Sequence, residues 1–305
     1  MKIYVLIITL STFFYCLPAT AAGRKVLAVQ SIRVTPYEQA LKGFESVCNL
    51  KVRRFVLSDF KNVDIAHKIK SLRPDMILAI GATALSKVKR VRKIPVVYLM
   101  VLDPKAVISS DEKNISGVSM NIPQEDQLSI MAKFFPEAKD IGIIYNPQKT
   151  GFLVQRAEAS AWDAGINLIK KIVNDPKDAA SRIMEMQGKI DLFWLFPDTT
   201  VLTPETIKFL FLFSMNNKIP VIAFSKNYLG MGALLSIGID SYDIGRQAGE
   251  LAKKIFTGHK KSFNKHIDAR RPIVSLNKKI ADKLEIKINK HNLNAFWNID
   301  ESEFN

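Results

Sequence analysis

Two carboxylates, Asp198 and Asp240, follow apolar stretches in the second half of the chain, where a carboxylate pair could do acid/base chemistry. No nucleophile or base accompanies them in a catalytic motif. The chain has no Gly-x-Ser-x-Gly turn, no Gly-rich phosphate loop and no His-Glu-x-x-His pair. The four histidines are scattered, so no metal site and no cofactor are predicted. These residues favour ligand binding over catalysis, although Asp240 equally fits a helix cap and Asp198 a turn.

Asp198 lies in a stretch of alternating strand and helix signals over residues 189–225. Residues 191–196 form an apolar run with aromatic and β-branched side chains, which predicts a buried strand. Thr203 and Pro204 have the residue types of a helix N-cap and a first helical position. Residues 219–224 form a second apolar run. The stretch therefore predicts strand, turn, helix and strand in that order.

The same layout occurs in the first half of the chain. An apolar run over residues 75–80 ends at Gly81, a helical segment follows, and residues 94–98 form another apolar run. Continuous apolar runs are typical of parallel strands that helices cover on both faces. Two copies of this design predict two α/β lobes. Ligands of such sheets bind outside the carboxyl ends of the strands, which carry small polar residues in both halves.

Three further elements complete the prediction. A strand is expected over residues 25–31, and a helix from about residue 152 to residue 164, where Gly165 is a typical C-terminal residue. Asp240 precedes a long helical pattern that continues to residue 256. A helix that begins so soon after a strand of the second lobe could cross back to the first.

Composition restricts the function classes. A chain of 305 residues with 48% hydrophobic and 24% charged residues is typical of a globular protein, and its length predicts two domains. The formal net charge of +15 raises the question of nucleic-acid binding. The lysines and arginines are scattered, and no DNA- or RNA-binding motif is present, so no nucleic-acid partner is predicted. A solvated basic surface is the simpler interpretation.

The N-terminal residues have the pattern of a secretory signal peptide. Met1-Lys2 is followed by an apolar segment over residues 3–17 and then by small residues that suit cleavage after Ala21 or Ala22. An uncleaved anchor is the alternative. Removal of this peptide would leave Cys48 as the single cysteine and exclude an internal disulfide. The expected location is the periplasm.

Several segments, taken in order, resemble the ABC-transporter substrate-binding family that includes tryptophan- and tyrosine-binding members: VLAVQSIRVTPYEQALKGF, PDMILAIGATAL, IPVVYLMVLDP, NISGVSMNIPQEDQLSIM, IGIIYNP, FPDTTVLTPE, IPVIAFS and GALLSIGIDSYDIGRQAGELAKKI. The resemblance runs from about Lys25 to Leu284. It implies the type I periplasmic binding protein fold. That fold has two Rossmann-like, three-layer lobes with parallel sheets, joined by a hinge of several crossings. It also implies a ligand held between the lobes and delivered to an ABC permease in the inner membrane.

These considerations predict the following division of the chain. Residues 1–22 form the signal peptide, residues 24–120 with 241–263 the first lobe, residues 121–240 with 264–286 the second lobe, and residues 287–305 a C-terminal tail.

The resemblance places a ligand site at the strand ends already selected. Hydroxyls and backbone N–H groups there suit a carboxylate, and a carboxylate such as Asp198 suits an ammonium group. Together they fit a zwitterionic amino acid whose side chain has apolar neighbours. Many of these residues fit equally well as caps or turn residues. The predicted ligand-binding residues are Gln30, Ser31, Ala82, Thr83, Leu102, Asp103, Tyr145, Asn146, Asp198, Thr199, Ser225 and Asp240. The aromatic excess at Phe193, Trp194 and Phe196 is attributed to the core.

The predicted function is that of a monomeric, exported solute receptor of an ABC importer, which binds a small molecule without chemistry. The ligand implied by the resemblance is an amino acid, aromatic in some members, or a related organic acid. A ligand-sensing subunit of a membrane signalling receptor is the first alternative. An enzyme that uses the cleft carboxylates is the second.

Overall fold

The computed structural model describes residues 24–48, 50–60, 64–259 and 263–286. The predicted signal peptide and C-terminal tail lie outside the described residues. Within the described part of the chain, no helix is long and apolar enough to cross a membrane.

The first lobe is built on a parallel sheet with the strand order β11-β5-β4-β3-β1-β2. Its central strands are buried at every position, as the continuous apolar runs predict. Side chains of one strand alternate between the two faces, so that Val26 and Ala28 pack on one side and Leu27 and Val29 on the other. The strands are β1 (Lys25–Gln30), β2 (Lys51–Val56), β3 (Met76–Ile80), β4 (Val96–Val101), β5 (Ile115–Ser119) and β11 (His266–Ile267).

Helices cover both faces of this sheet. On one face pack α1 (Thr35–Val47) and α8 (Ser241–Phe256), and on the other pack α2 (Ile65–Leu72) and α3 (Ala82–Val88). The helix after Asp240 does return to the first lobe: its Ile244 and Ala248 share a core cluster with Phe44 of α1.

Glycines bring α1 and α8 unusually close together. A Cβ atom added at Gly245 would lie 1.9 Å from the backbone oxygen of Ala40, and one added at Gly43 would lie 1.9 Å from that of Tyr242. The two backbones therefore touch where the helices cross, which only glycine permits.

The second lobe repeats the arrangement with the strand order β12-β10-β9-β8-β6-β7. All of its neighbouring strands are parallel except β12, which runs antiparallel to β10 at the edge of the sheet. The strands are β6 (Asp140–Tyr145), β7 (Asn167–Ile172), β8 (Leu192–Trp194), β9 (Val221–Ala223), β10 (Leu235–Ile239) and β12 (Pro272–Leu276).

Two groups of helices enclose the second sheet. On one face pack α4 (Gln124–Phe134), α5 (Pro147–Asp163) and α9 (Lys278–Lys283), and on the other pack α6 (Ala179–Met184) and α7 (Pro204–Asn217). The α/β fold class with two lobes of parallel strands is thus confirmed.

The prediction placed the start of α5 too late, at about residue 152. The helix begins at Pro147, because the Asn146 side chain accepts a hydrogen bond from the Gln148 N–H and Pro147 occupies the first turn.

Within the described residues, the chain passes between the lobes at three places: from β5 to α4, from β10 to α8, and from β11 to β12. The predicted return to the second lobe at residue 264 is too early. His266 and Ile267 still pair with Gly117 and Val118 of the first sheet, so the chain re-enters the second sheet only at Pro272.

Candidate functional site

The predicted site residues lie where the two sheets approach each other. The chain crosses to the other lobe directly after the carboxyl ends of β5 and β10. The neighbouring strands β4 and β9 run parallel to them, so their carboxyl ends lie at the same edges. The carboxyl edge of each sheet is therefore at the junction of the lobes. Each predicted residue is the last of a strand or lies in the turn that follows it, except Ala82 and Thr83, which begin α3 after β3.

A cavity of about 260 Å³ lies at this junction. Leu102 follows β4 of the first lobe, whereas Phe196, Phe224 and Ile239 stand at the ends of second-lobe strands, so both lobes contribute walls. No charged side chain belongs to the lining, which is mainly apolar. The lining residues are Leu102, Met120, Asn121, Ile122, Gln124, Gln127, Leu153, Trp194, Leu195, Phe196, Pro197, Phe224, Ile237 and Ile239.

The cavity is lined mainly by residues adjacent to the predicted ones and not by the predicted residues themselves. Leu102 is the only predicted residue in its lining. At Asp198, Ser225 and Asp240, the residue immediately before the predicted one forms the wall instead. Sequence reasoning selected the polar residue after each strand, whereas the cavity is closed by the apolar residue that precedes it.

Asp198 has a structural role in the turn after β8, the alternative that the sequence left open. Its side chain is completely buried and accepts hydrogen bonds from the backbone N–H of Asn146 at 2.8 Å and the Thr150 hydroxyl at 2.5 Å. It also accepts from the backbone N–H groups of Thr200 and Val201 at 2.9 and 3.3 Å. Both carboxylate oxygens are occupied within the second lobe. This arrangement does not support the expectation that Asp198 meets a ligand ammonium group.

Other predicted residues of the second lobe cap helices. Asn146 caps α5 and donates to the Thr200 hydroxyl at 3.1 Å, and Asp240 caps α8 through the Asp243 N–H at 2.9 Å. Ser225 caps a short helical turn. Asp240 and Ser225 remain partly exposed at the junction, as does Tyr145, while Thr199 is exposed.

The predicted residues of the first lobe divide in the same way. The Ser31 hydroxyl donates to the Ile80 carbonyl at 3.0 Å and accepts from the Ala84 N–H at 2.9 Å, so it joins β3 to α3. Gln30 is buried and donates to the Ile32 carbonyl. Asp103 accepts from the Ala106 N–H at 3.1 Å and is partly exposed. Ala82 and Thr83 are exposed at the start of α3.

Tyr37 is a further polar group at this edge that the sequence analysis missed. Its hydroxyl lies over Gly81, where an added Cβ would approach it to 2.6 Å. Gly81 also has a φ of 90°, so the turn depends on glycine for conformation as well as for space. Partial burial raises the pKa of Tyr37, which keeps the phenol protonated and able to donate.

The aromatic residues in and just after β8 explain the chemistry of the cavity. Trp194 and Phe196 contact each other edge to face, with ring centroids 4.7 Å apart, and both line the cavity. Phe193 points to the opposite face and belongs to the core beside α6 and α7. The attribution to the core is therefore right for Phe193 but incomplete for the other two. Alternation along the strand was the signal that separates them.

A second, larger cavity of about 820 Å³ lies between α5 and the β11 edge of the first lobe. Its wall includes an ion pair between the lobes, in which Arg156 of α5 lies 2.5 Å from Asp268. Asp268 also accepts a hydrogen bond from the Ser119 hydroxyl at 2.6 Å. Asn121 borders both cavities, so the first crossing separates them.

The residues that the structure describes contain no group of three or more His, Cys, Asp or Glu side chains able to hold a metal ion. The chemistry available at the junction is thus apolar and aromatic contact inside the cavity, with hydroxyl, amide and carboxylate groups around it.

Comparison with known proteins gives a family match over most of the chain. Residues 41–295 match the model of the ABC transporter substrate binding protein family. The "Tyrosine-binding protein" of Clostridioides difficile (strain R20291) is 28% identical over 233 residues. That match covers 71% of this chain and 65% of the relative, so the chain spans just under two thirds of that protein's length.

Solved structures share the fold. A ligand-free, open substrate binding protein with adhesive properties from Clostridium difficile has a TM-score of 0.71 and 24% identity, covering 87% of this chain and 96% of its own. An ABC domain in complex with L-Trp from Streptococcus pneumonia has a TM-score of 0.62 and 22% identity, covering 91% of this chain and 100% of its own.

Proposed function

This chain belongs to the ABC transporter substrate binding protein family, and we propose that it binds an amino acid with an aromatic side chain at the junction of its lobes. Members of this family are binding proteins and not enzymes, so the ligand leaves unchanged. The receptor then delivers its ligand to the permease of an ABC importer.

The uncharged cavity lined by Trp194, Phe196 and Phe224 is the observation that carries this proposal. An aromatic ring gains free energy from burial among such side chains, and edge-to-face contacts add to it. A charged group would lose its hydration there without gaining a partner. The cavity therefore suits the side chain of an amino acid and excludes its ammonium and carboxylate groups.

The charged end of the ligand then faces the polar strand ends around the cavity. Thr83, Asp103 and Asp240 are at least partly exposed, the Tyr37 hydroxyl is a further donor, and we assign these groups to the charged end of the ligand. Asp198 does not belong to this group, because its carboxylate oxygens accept hydrogen bonds within the second lobe. Relatives named for tyrosine and crystallised with L-Trp support the choice of ligand class.

The proposal includes a location outside the cytoplasmic membrane. The N-terminal pattern of a secretory signal supports export, and a periplasmic receptor of this kind meets an inner-membrane permease. Closure of the lobes over the ligand would create the surface that the permease distinguishes from the open receptor.

Thermal unfolding in the presence of each of the twenty amino acids tests this function. A ligand at about one hundred times its dissociation constant stabilises the folded state by about 2.7 kcal/mol, so an aromatic amino acid should raise the melting temperature clearly. Aspartate, lysine and glycine should not. Stabilisation by charged amino acids with none by aromatic ones would contradict the proposal.

A variant that fills the cavity provides the matched test. Leu102→Trp places a bulky ring in the cavity and should abolish the stabilisation by aromatic amino acids. Leu212→Trp makes the same change at an exposed position of α7 and should leave it unchanged. An equal increase in melting temperature in the two variants would show that the ligand binds outside this cavity.

A further inference from the structure

Gln124 places an unused hydrogen-bond acceptor beside the cavity. It is the first residue of α4, directly after the crossing from β5, and only 2% of its surface is exposed. The side chain borders the cavity. Its Oε1 has no hydrogen-bond partner among the residues that the structure describes. Buried amide oxygens are almost always paired, so this one calls for an explanation.

The neighbouring backbone determines which end of this amide is unused. The Nε2 of Gln124 lies 3.5 Å from the carbonyl oxygen of Ile122, a long contact in which the amide is the donor. A flipped side chain would bring Oε1 against that carbonyl, and two acceptors repel each other. The orientation with Nε2 toward Ile122 and Oε1 unpaired is therefore the favoured one.

The other two side-chain amides on the cavity wall donate hydrogen bonds to backbone carbonyls. Gln127 donates to the Ile122 carbonyl at 2.9 Å, and Asn121 donates to the Leu102 carbonyl at 2.9 Å. The carbonyl of Ile122 has two lone pairs and accommodates both glutamines. Gln124 is thus distinguished from its neighbours on this wall by an acceptor that is both buried and left unpaired by the described residues.

The cavity has room for a ring that carries a donor. A cavity of roughly 150 Å³ with apolar walls binds a benzene ring, so about 260 Å³ accommodates a phenol or an indole. Such rings bring an apolar surface to Trp194 and Phe196 and an O–H or N–H to one polar partner.

We propose that Gln124 Oε1 accepts a hydrogen bond from the ring of the ligand, so that this cavity selects a phenol or an indole over a plain phenyl ring. Gln124 is then a specificity-determining residue that favours tyrosine or tryptophan over phenylalanine. The inference rests on the proposed function, because it assumes that an aromatic side chain enters the cavity.

Calorimetric titration of the purified protein tests the proposal without any substitution. L-Tyrosine is compared with L-phenylalanine, and L-tryptophan with 1-methyl-L-tryptophan, because each second compound lacks the ring donor. Whichever of tyrosine and tryptophan binds should bind about tenfold more tightly than its donorless analogue. Equal affinity within each pair would overturn the role of Gln124 while leaving aromatic binding intact. Failure of all four compounds to bind would instead overturn the proposed function.

Two glutamine variants then assign the preference to one residue. Gln124→Leu removes the acceptor at similar size and should reduce the preference for the donor-bearing ligand to within about twofold, mainly by weakening that ligand. Gln187→Leu makes the same change at an exposed position in the turn before β8, outside the cavity lining, and should retain the tenfold preference. Circular dichroism verifies that both variants are folded. Loss of the preference in Gln187→Leu alone, or its retention in Gln124→Leu, would overturn the assignment.

Discussion

At the scale of single residues, the second lobe depends on a carboxylate that is hidden from solvent. Asp198 links the end of β6, the first turn of α5 and the loop after β8 through hydrogen bonds to Asn146, Thr150, Thr200 and Val201. Hydrogen bonds to a charged acceptor are stronger than neutral ones, and their loss leaves several buried donors unpaired. Asp198 therefore holds the turns that carry the site in place.

Replacing Asp198 by alanine should lower the free energy of unfolding by about 3 kcal/mol or more, because its buried hydrogen-bond network is lost. Urea denaturation measures the change. Thr199→Ala alters the exposed neighbour and should change stability by no more than about 0.5 kcal/mol. A folded Asp198→Ala protein of wild-type stability that has lost ligand binding would restore this residue to the ligand site.

Cys48 should be unreactive in the folded protein. The thiol is buried at the end of α1 and donates to the Gly249 carbonyl, and burial raises its pKa to about 11. The thiolate is the reactive form, so the thiol stays protonated at pH 8 and modification should be slow.

Labelling with an aromatic disulfide reagent measures this reactivity in a chain whose Cys16 is replaced by serine. Modification should be complete within minutes in 8 M urea and at least about a hundredfold slower in buffer at pH 8. Equal rates in the two conditions would show that the segment around Cys48 opens readily.

At the scale of elements, the crossing of α1 and α8 is the contact that closes the first lobe. Gly43 and Gly245 let the two backbones touch, and Phe44 and Ile244 pack on the same core face beside them. Because α8 follows most of the second lobe in sequence, this contact joins distant parts of the chain.

Gly245→Ala should destabilise the protein by about 2–3 kcal/mol, because the added methyl group meets the Ala40 backbone and the helices must separate. Gly151→Ala is the matched control, since Gly151 lies inside α5 and its nearest neighbour to an added Cβ is 3.7 Å away. That variant should be neutral or more stable by up to about 1 kcal/mol through helix propensity. Thermal and urea unfolding of both variants measure the difference. Equal stability of the two variants would show that the helix crossing accommodates an added methyl group.

Most of the fold could be predicted at this scale, because buried parallel strands are continuous apolar runs. The exceptions have physical causes. His266 and Ile267 form a strand only by pairing with Gly117, and two residues carry no periodic signal. Asn146 and Pro147 are typical of both a turn and a helix start, and their sequence does not decide between them.

The site was predicted less completely, because polar residues at the strand ends were expected to contact the ligand. Ser31, Asn146 and Asp198 are polar residues that fold the strand ends and bond to the protein itself. Trp194 and Gln124 face the cavity, yet a core aromatic and a helical glutamine have the same residue types. Only the packing of the two lobes distinguishes them.

At the scale of the whole molecule, the chain is interleaved. Most of the second lobe lies between the two parts of the first. The helix α8 and the strand β11 complete the first lobe only after residue 240, and β12 and α9 then complete the second. Residues such as Leu251 and Ile255 of α8 cover a sheet face that would otherwise be exposed. The first lobe therefore cannot bury its core on its own.

A fragment of residues 24–240 should fail to form the first lobe, because it lacks α8. Near-ultraviolet circular dichroism and urea unfolding should show loss of the cooperative transition of that lobe, with loss of ligand binding. A chain that ends at residue 286 keeps every described element and should unfold like the intact protein. A fragment that unfolds cooperatively with two native lobes would show that α8 is dispensable.

The segments that connect the lobes also contribute to the cavity wall, since Asn121 and Ile122 belong to the first crossing and Ile239 directly precedes the second. An occupant of the cavity would therefore contact the backbone that joins the two lobes. A change of side-chain size at these three positions should alter the affinity for the ligand and the rate of its release together. Ligand selectivity and release kinetics would then depend on the same few side chains between the lobes.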